Sequence, residues 1–288
     1  MKFIKYFFQA TIVYAFFLII KLIGLSRSRK LFAKIFNKIG PIIKSKDTIN
    51  KNLEKLIGSY SDDKKNEIIF KMWANFGKLF VEYIYLHKFQ KSHSHINVKG
   101  EKILEEIKKR GRPVIFVSGH FANFELMSME LTKRQINLAT IYRPLNNIFL
   151  NPFMEYLRKK YICKHQIKKG LVGVKHSIEY LRKNFSVALM IDQRVSEGVK
   201  LPFFEYKAFT TTLPAQLALK HKYLIVPIYI TRKQDDNFEM EIFEPLETTN
   251  KENTEKNKLE VSISLNKIIE KMILKDPSQW IWTHNRWK

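Results

Sequence analysis

The chain has 288 residues, 45% of them hydrophobic, and its 51 Lys and Arg against 27 Asp and Glu give a formal net charge of +24. This hydrophobic content, with 22 Phe and 12 Tyr, excludes global disorder, and the single cysteine excludes a disulfide-stapled secreted scaffold. The charge predicts an anionic partner, such as nucleic acid, anionic lipid or an acidic protein, without selecting among them.

The N-terminal segment is the first predicted element. Residues 6–20 form an uncharged apolar run between Lys5 and Lys21. Counted over residues 3–25, a helix here is just long enough to cross a hydrocarbon core of about 30 Å if the lysines snorkel. No small-x-small cleavage site follows, which disfavours a signal peptide. We predict a membrane anchor helix over residues 1–27, spanning or dipping into the bilayer, and a single domain over residues 28–288.

Two further helices are predicted before residue 90. Residues 30–39 place apolar side chains on one face and lysines on another, as in a helix lying on a membrane surface or an ordinary amphipathic core helix. Residues 62–89 repeat aromatic rings every three or four positions, at Trp73, Phe76, Phe80, Tyr83 and His87. This spacing predicts a buried stripe rather than an exposed platform for stacking bases.

Beyond residue 110, apolar runs alternate with helical stretches. Strands are predicted at 114–117, 138–142, 187–191 and 224–230, with edge strands at 238–243 and 280–283. This alternation predicts an α/β fold with a mixed, largely parallel central sheet flanked by helices. Spacing excludes other classes, because the ten glycines form neither a dinucleotide fingerprint nor a Walker A loop, and one cysteine leaves no plausible structural zinc site. We expect no metal or redox cofactor.

The segment over residues 114–125, VIFVSGHFANFE, carries the chemistry. A predicted strand ends before His120, a helix begins near Glu125, and open α/β sheets place their sites at such turns. His120 can act as a general base, and Glu125 can bind its other ring nitrogen and fix the tautomer. Such a dyad suits deprotonation of an alcohol that attacks a thioester. The spacing alone is weak evidence, since the composition gives about one match by chance, and a helix-capping histidine beside a surface glutamate is the alternative.

Four blocks in chain order add specificity: GHFANFE at 119–125, and longer blocks at 142–158, 190–211 and 277–288. Together they resemble the lipid A biosynthesis late acyltransferases, the lauroyl and myristoyl transferases of the lysophospholipid acyltransferase-like superfamily. Ala122 and Phe124 stand where that family usually has Gly and Trp, and Glu205 stands where Gly is usual. The first two changes are conservative, whereas Glu205 bears on acyl-chain or acceptor preference.

The resemblance implies transfer of a fatty acyl chain from acyl carrier protein to a 3-hydroxyacyl hydroxyl of the Kdo-bearing lipid A precursor, at the cytoplasmic face of the bacterial inner membrane. It implies His120 as general base and Glu125 as its orienting partner. An acidic carrier, an anionic acceptor and an anionic membrane all fit the positive charge.

Further site residues are expected around this dyad. Arg143 and Arg158 suit a phosphate or carboxylate of the acceptor, although surface arginines paired with nearby acids are the alternative. Asp192 follows a predicted strand and is expected to orient a site arginine. The substrate-binding set is Asn123, Arg143, Arg158, Asp192 and Gln193, and the proposed acyl-pocket residues are Phe203 and Phe204, for which simple core packing is the alternative.

Rival functions remain open from the sequence. The nearest is a glycerolipid, lyso-lipid or ornithine-lipid acyltransferase with a similar dyad, against which the blocks YRPLNN and WIWTHNRWK favour the lipid A family. A different class is a basic, membrane-tethered binding protein without activity, or a nucleic-acid binder with steeply salt-dependent affinity.

Overall fold

The computed structural model describes residues 1–43, 46–57, 60–195 and 197–287. Its helices are α1 Lys2–Ile23, α2 Leu25–Ile43, α3 Lys46–Ile57, α4 Asp62–Glu82, α5 Leu86–Lys91, α6 Glu101–Arg110, α7 Glu125–Lys133, α8 Asn151–Tyr161, α9 Leu171–Arg182, α10 Leu213–His221 and α11 Glu255–Lys275. Its strands are β1 Ile96–Lys99, β2 Ile115–Ser118, β3 Leu138–Tyr142, β4 His165–Lys168, β5 Ser186–Met190, β6 Val199–Phe203, β7 Tyr206–Thr210, β8 Ile225–Arg232 and β9 Phe238–Ile242.

Seven strands form the central sheet in the order β1-β9-β8-β2-β5-β3-β4, and β6 and β7 form a separate hairpin. Neighbouring strands of the sheet are parallel except β8 and β9, which are antiparallel. The α/β prediction, with a mixed and largely parallel sheet flanked by helices, is therefore confirmed. Because β2, β3, β4, β5 and β8 run in one direction, the loops that follow them leave from one edge of the sheet, here called the carboxyl edge.

Both faces of the sheet are covered by side chains from helices. Along β2, Ile115 and Val117 join one buried cluster while Phe116 joins a second cluster on the opposite face. This alternation follows from the two-residue repeat of a strand. The predicted aromatic stripe packs inward but is only partly buried. Trp73 is buried in the first cluster, and Phe80, which is half-buried, packs among aromatic rings of α1 and α2. Phe76, Tyr83 and His87 are also half-buried.

By length and composition, helix α1 could cross a membrane. Only 17% of its most apolar 18-residue segment is buried. It still contacts the rest of the chain, because Tyr14 Oη donates to the Phe149 carbonyl at 2.9 Å and Phe17 packs on Phe80. Gly24, at φ 84°, separates α1 from α2.

The predicted edge strand at 280–283 is wrong. These residues follow a 3₁₀ turn at Pro277–Gln279 and are irregular. Trp280 and Trp282 are both buried and pack edge to face, so apolar side chains here reflect core packing rather than strand pairing. The structure also contains β1, β4 and the β6–β7 hairpin, whose short strands gave no recognised pattern in the sequence.

Candidate active site

His120 and Asp192 meet at the carboxyl edge because their strands are neighbours. Ser118 of β2 is in register with Met190 of β5, and each site residue follows two positions later. Asp192 Oδ1 lies 2.8 Å from His120 Nδ1, and Asp192 Oδ2 accepts the His120 backbone N–H at 2.8 Å. The Trp280 indole N–H also donates to Oδ2 at 2.8 Å. The carboxylate thus fixes both the ring and the backbone of His120.

These contacts keep the Asp192 carboxyl ionised. Burial alone would raise the pKa of the Asp192 carboxyl, but the charge and hydrogen bonds of His120, helped by Trp280, lower it to about 2. An ionised Asp192 accepts a hydrogen bond from the Nδ1–H of His120, and this tautomer leaves the Nε2 lone pair free. Among the described residues Nε2 makes no hydrogen bond, and the side chain is 19% exposed. The ring is therefore arranged to accept a proton from a ligand.

The expected contact between His120 and Glu125 is not formed. Glu125 Oε1 instead accepts hydrogen bonds from Arg158 Nε at 2.8 Å and from Tyr83 Oη at 2.8 Å. Two facts explain the difference: Asp192 already occupies Nδ1, and Glu125, at the start of α7, pairs with the guanidinium that α8 presents. Phe124 lies edge to face against the imidazole, with ring centroids 4.6 Å apart.

Arg158 lies in this ion pair and is largely buried. Its side chain is 12% exposed and that of Glu125 is 8% exposed, and its guanidinium lies 5.7 Å from the centre of the Tyr142 ring. The alternative stated for the sequence was a surface arginine paired with a nearby acid, whereas this pair is buried. Removing one member of a buried ion pair leaves an uncompensated charge and costs about 3–5 kcal/mol.

A second buried carboxylate, missed in the sequence, lies behind the His120 turn. Glu82 has no exposed surface and accepts hydrogen bonds from Arg29 Nε at 2.7 Å, Arg232 Nη2 at 3.0 Å and Asn123 Nδ2 at 2.9 Å. Asn123 is thus buried and directed at Glu82. The sequence does contain a signal for a buried acid here, because Glu82 is the only acid between residues 67 and 101 and lies in an aromatic run.

Arg232 extends this support to the residue next to Asn123. Its Nε donates to Asn75 Oδ1 at 2.9 Å and its backbone N–H donates to Gln279 Oε1 at 2.6 Å. Asn75 Nδ2 in turn donates to the Ala122 carbonyl, and the Ala122 N–H donates to the Gln279 carbonyl at 3.0 Å. The turn that carries His120 is therefore held from three elements, α4, β8 and the C-terminal segment.

Comparison with known proteins shows the family of the chain. Residues 2–288 match the family model described as bacterial lipid A biosynthesis acyltransferase. The chain belongs to this family. It is 25% identical over 258 residues to the lipid A biosynthesis palmitoleoyltransferase of Escherichia coli K12, covering 86% of this chain and 80% of that protein. It is 23% identical over 245 residues to the lipid A biosynthesis lauroyltransferase of the same organism, covering 83% and 78%.

Family membership makes the chain an acyltransferase of lipid A biosynthesis. Two of its departures from the usual family pattern now have a conformational meaning. Ala122 has φ 44° and Glu205 has φ 65°, both in the left-handed region that favours the glycine usual at each position. Glu205 lies with Phe204, at φ 49°, in the turn of the β6–β7 hairpin. The positive φ at positions 122 and 205 therefore explains why glycine is favoured at both.

Two further residues of the predicted substrate-binding set, Arg143 and Gln193, lie just beyond strands of the sheet. Arg143 is exposed just beyond β3, next to the exposed Lys169, whose N–H donates to the Tyr142 carbonyl at 2.9 Å. Among the described residues Arg143 makes no ion pair, so its guanidinium is available at the carboxyl edge. Gln193 follows Asp192 and offers its backbone carbonyl to the Arg286 guanidinium at 2.7 Å.

Phe203 lies in the core rather than in the wall of an open pocket. It has no exposed surface, its ring centroid lies 5.5 Å from that of Trp287, and the Arg286 guanidinium lies 4.9 Å from its centre. Phe204 is half-buried beside it, with centroids 5.0 Å apart. Phe203 therefore packs in the core, as the alternative to an acyl-pocket role describes.

Residues of the C-terminal block, for which the sequence indicated no role, hold the site in place. Trp280 binds Asp192, and Arg286 is fully buried, donating to the carbonyls of Gln193 and, at 2.8 Å, Phe209. Burial lowers the pKa of Arg286 to about 10. In the described part of the chain, no three His, Cys, Asp or Glu side chains cluster to hold a metal ion.

Proposed function

We propose that the chain transfers a fatty acyl group from an acyl carrier protein thioester to a 3-hydroxyacyl hydroxyl of the Kdo-bearing lipid A precursor. Family membership supports the pathway and the reaction class. One observation carries the chemistry: His120 is held through Nδ1 by a buried carboxylate, which leaves Nε2 open at the carboxyl edge.

In this mechanism His120 Nε2 removes the proton of the acceptor hydroxyl as its oxygen attacks the thioester carbonyl. Asp192 stabilises the imidazolium that forms and keeps Nδ1 protonated. The tetrahedral intermediate then collapses, the carbon–sulfur bond breaks, and the leaving thiolate takes the proton from Nε2. One ester forms for each thioester consumed, and the histidine returns to its starting state.

Glu125 and Asn123 are positioning residues in this proposal. Glu125 joins the start of α7 to α8 through Arg158 and to α4 through Tyr83. Asn123 joins the same turn to Glu82. Both therefore act on the direction of His120 rather than on the reacting atoms.

Arg143 is proposed to bind an anionic group of the acceptor, with Lys169 beside it. Both are exposed at the carboxyl edge, where the strand ends place them on the side of His120. The net charge of +24 also favours encounter with an acidic carrier protein and an anionic inner membrane, with the catalytic edge on the cytoplasmic side.

The test is a mass-spectrometric transfer assay with purified protein in mixed micelles. It combines a panel of acyl carrier protein thioesters with the tetraacylated Kdo–lipid A precursor, and runs His120→Ala beside the unaltered chain. We expect a mass gain of one acyl chain that falls by about 10²–10⁴ in rate in the variant.

Other outcomes separate the rival functions. Product from glycerolipid, lyso-lipid or ornithine-lipid acceptors alone would keep the histidine mechanism and overturn the proposed acceptor. Product from coenzyme A thioesters alone would overturn the proposed donor. If no donor and acceptor pair reacts, the membrane-tethered binding protein becomes the better explanation.

A further inference from the structure

The junction of β4 and α9 exposes two adjacent aliphatic side chains, which are the first two residues of α9. Leu171 is 88% exposed and Val172 is 67% exposed. They are flanked by three exposed lysines, Lys168, Lys169 and Lys175, in the sequence KKGLVGVK. We call residues 168–175 the basic-aliphatic tip. Single exposed apolar residues are ordinary, but an adjacent pair enclosed by lysines matches the composition of a membrane-contacting surface.

The backbone holds this tip in a defined shape. Gly170 has φ 126°, a backbone conformation that residues with a side chain rarely adopt. Gly173 packs so closely on the Lys168 carbonyl that no Cβ fits there. The Lys169 N–H donates to the Tyr142 carbonyl at 2.9 Å, which ties the tip to the end of β3. Leu171 and Val172 are thus exposed at the start of α9, directly after a connection that is hydrogen-bonded to the sheet.

The tip lies on the same edge as the candidate site. β4 is parallel to β3, which neighbours β5, so its carboxyl end shares an edge with His120 and Asp192. The loop that follows β3 also contacts α1. Asn147 Nδ2 donates to the Tyr6 carbonyl at 2.8 Å, and the rings of Phe149 and Phe3 lie 5.0 Å apart. The exposed apolar surface of α1 and the tip therefore flank one side of the protein.

We propose that the basic-aliphatic tip inserts Leu171 and Val172 into an anionic bilayer, as a second membrane contact beside α1. The proposal rests on the proposed function at an inner membrane and on the predicted attachment through α1. Charge complementarity selects the occupant: the lysines match anionic headgroups, and the aliphatic pair matches the apolar layer just beneath them. Two separate contacts fix the tilt of the protein, so that the carboxyl edge and His120 face the lipid surface from which the acceptor is drawn.

The test places an environment-sensitive probe at single positions of the full-length protein. Cys163 is 2% exposed and is left in place, with labelled unaltered protein as the background. NBD is attached at Leu171→Cys, at Phe8→Cys on α1, and at Lys183→Cys, an exposed position at the opposite end of α9 from the tip. Each protein is reconstituted in vesicles of phosphatidylethanolamine and phosphatidylglycerol, with or without nitroxide-labelled phospholipid.

We expect nitroxide quenching at positions 8 and 171 and little at 183. Quenching at 171 no greater than at 183, with position 8 quenched, overturns the second contact while membrane attachment through α1 stands. If position 8 also escapes quenching, membrane attachment fails together with the tip proposal. Neither result depends on acyl transfer, which the mass-spectrometric assay reports separately.

An activity comparison tests the consequence for catalysis. Leu171→Asp/Val172→Asp is expected to lower the transfer rate on acceptor presented in anionic vesicles by about tenfold or more, because burying each aliphatic side chain contributes a factor of this order. The same variant is expected to keep the rate of the unaltered protein on micellar acceptor. Equal losses in vesicles and micelles would show a general defect and contradict the proposal.

Discussion

Asp192 binds His120 at two places: its Oδ1 lies 2.8 Å from the ring Nδ1, and its Oδ2 accepts the backbone N–H at 2.8 Å. One carboxylate therefore fixes the ring, its tautomer and the start of the turn that carries it. The Trp280 indole N–H holds the same carboxylate from the C-terminal block. This arrangement connects the third and fourth sequence blocks, at 190–211 and 277–288, to the histidine in the first block.

Asp192→Asn is expected to lower kcat by about 10²–10⁴ with little change in KM. An amide of the same shape no longer favours the Nδ1–H tautomer and does not stabilise the imidazolium. The measurement is kcat and KM in the micellar transfer assay, with Asp235→Asn, at a turn on the surface, as the control. Full activity of Asp192→Asn would remove Asp192 from the mechanism.

The ion pair of Glu125 and Arg158 is expected to contribute to stability as well as to the positioning of His120. Glu125→Gln and Arg158→Gln should each lower the free energy of unfolding by about 3–5 kcal/mol, since each leaves one buried charge unpaired. The double variant should lose clearly less than the sum, because both charges are gone. Urea unfolding of the detergent-solubilised proteins measures the cycle, and additive losses would show that the two side chains do not interact.

Asn123 is expected to affect turnover more than substrate binding. Asn123→Ala removes the tie between Glu82 and the His120 turn, and a displacement of about 1 Å can cost roughly 100-fold in rate. We expect kcat to fall 10- to 100-fold with KM near its original value. Thr132→Ala, which removes a hydrogen bond to Ser128 at the far end of α7, is the matched control. A rise in KM at constant kcat would instead assign Asn123 to substrate binding.

His284 is expected to make stability fall in mild acid. Burial is the largest cause that lowers the pKa of His284, to about 4 from 6.5, and the charges of His120 and Arg286 add to it while Asp192 opposes it. Below pH 6.5 the unfolded state binds the proton more readily, so stability present above 6.5 is lost as pH falls towards about 4.

His284→Asn should therefore flatten this part of the stability profile, because asparagine does not titrate. Thermal unfolding of the detergent-solubilised protein across this pH range provides the measurement. The control is His93→Asn at an exposed loop position. An unchanged acid slope in His284→Asn would show that the loss comes from other groups.

Glu205→Gly is expected to be tolerated and to stabilise the protein slightly. Glu205 has φ 65°, which costs a non-glycine residue about 1–2 kcal/mol, whereas the added freedom of glycine in the unfolded chain costs about 0.4–1 kcal/mol. The net gain expected in the free energy of unfolding is about 1 kcal/mol or less. Lys207→Gly, two residues later in β7, is the control and should destabilise.

The sequence predicted the main features of the fold through local patterns. Alternating apolar runs and helical stretches indicated the largely parallel sheet, and the apolar run over residues 6–20 indicated α1. The turn holding His120 followed from a strand and a helix only a few residues apart. These features depend on neighbours within one element, which is why spacing alone could reveal them.

What the sequence by itself determined was the family, the element types and the position of His120, because each depends on local order along the chain. The tertiary structure alone decided which acid binds that histidine: Asp192, 72 residues away, rather than Glu125. Likewise it paired Glu82 with Arg232, 150 residues apart. Strand order decides such contacts, since placing β5 beside β2 brings the Asp192 carboxylate to Nδ1, and no spacing within the motif encodes that neighbour.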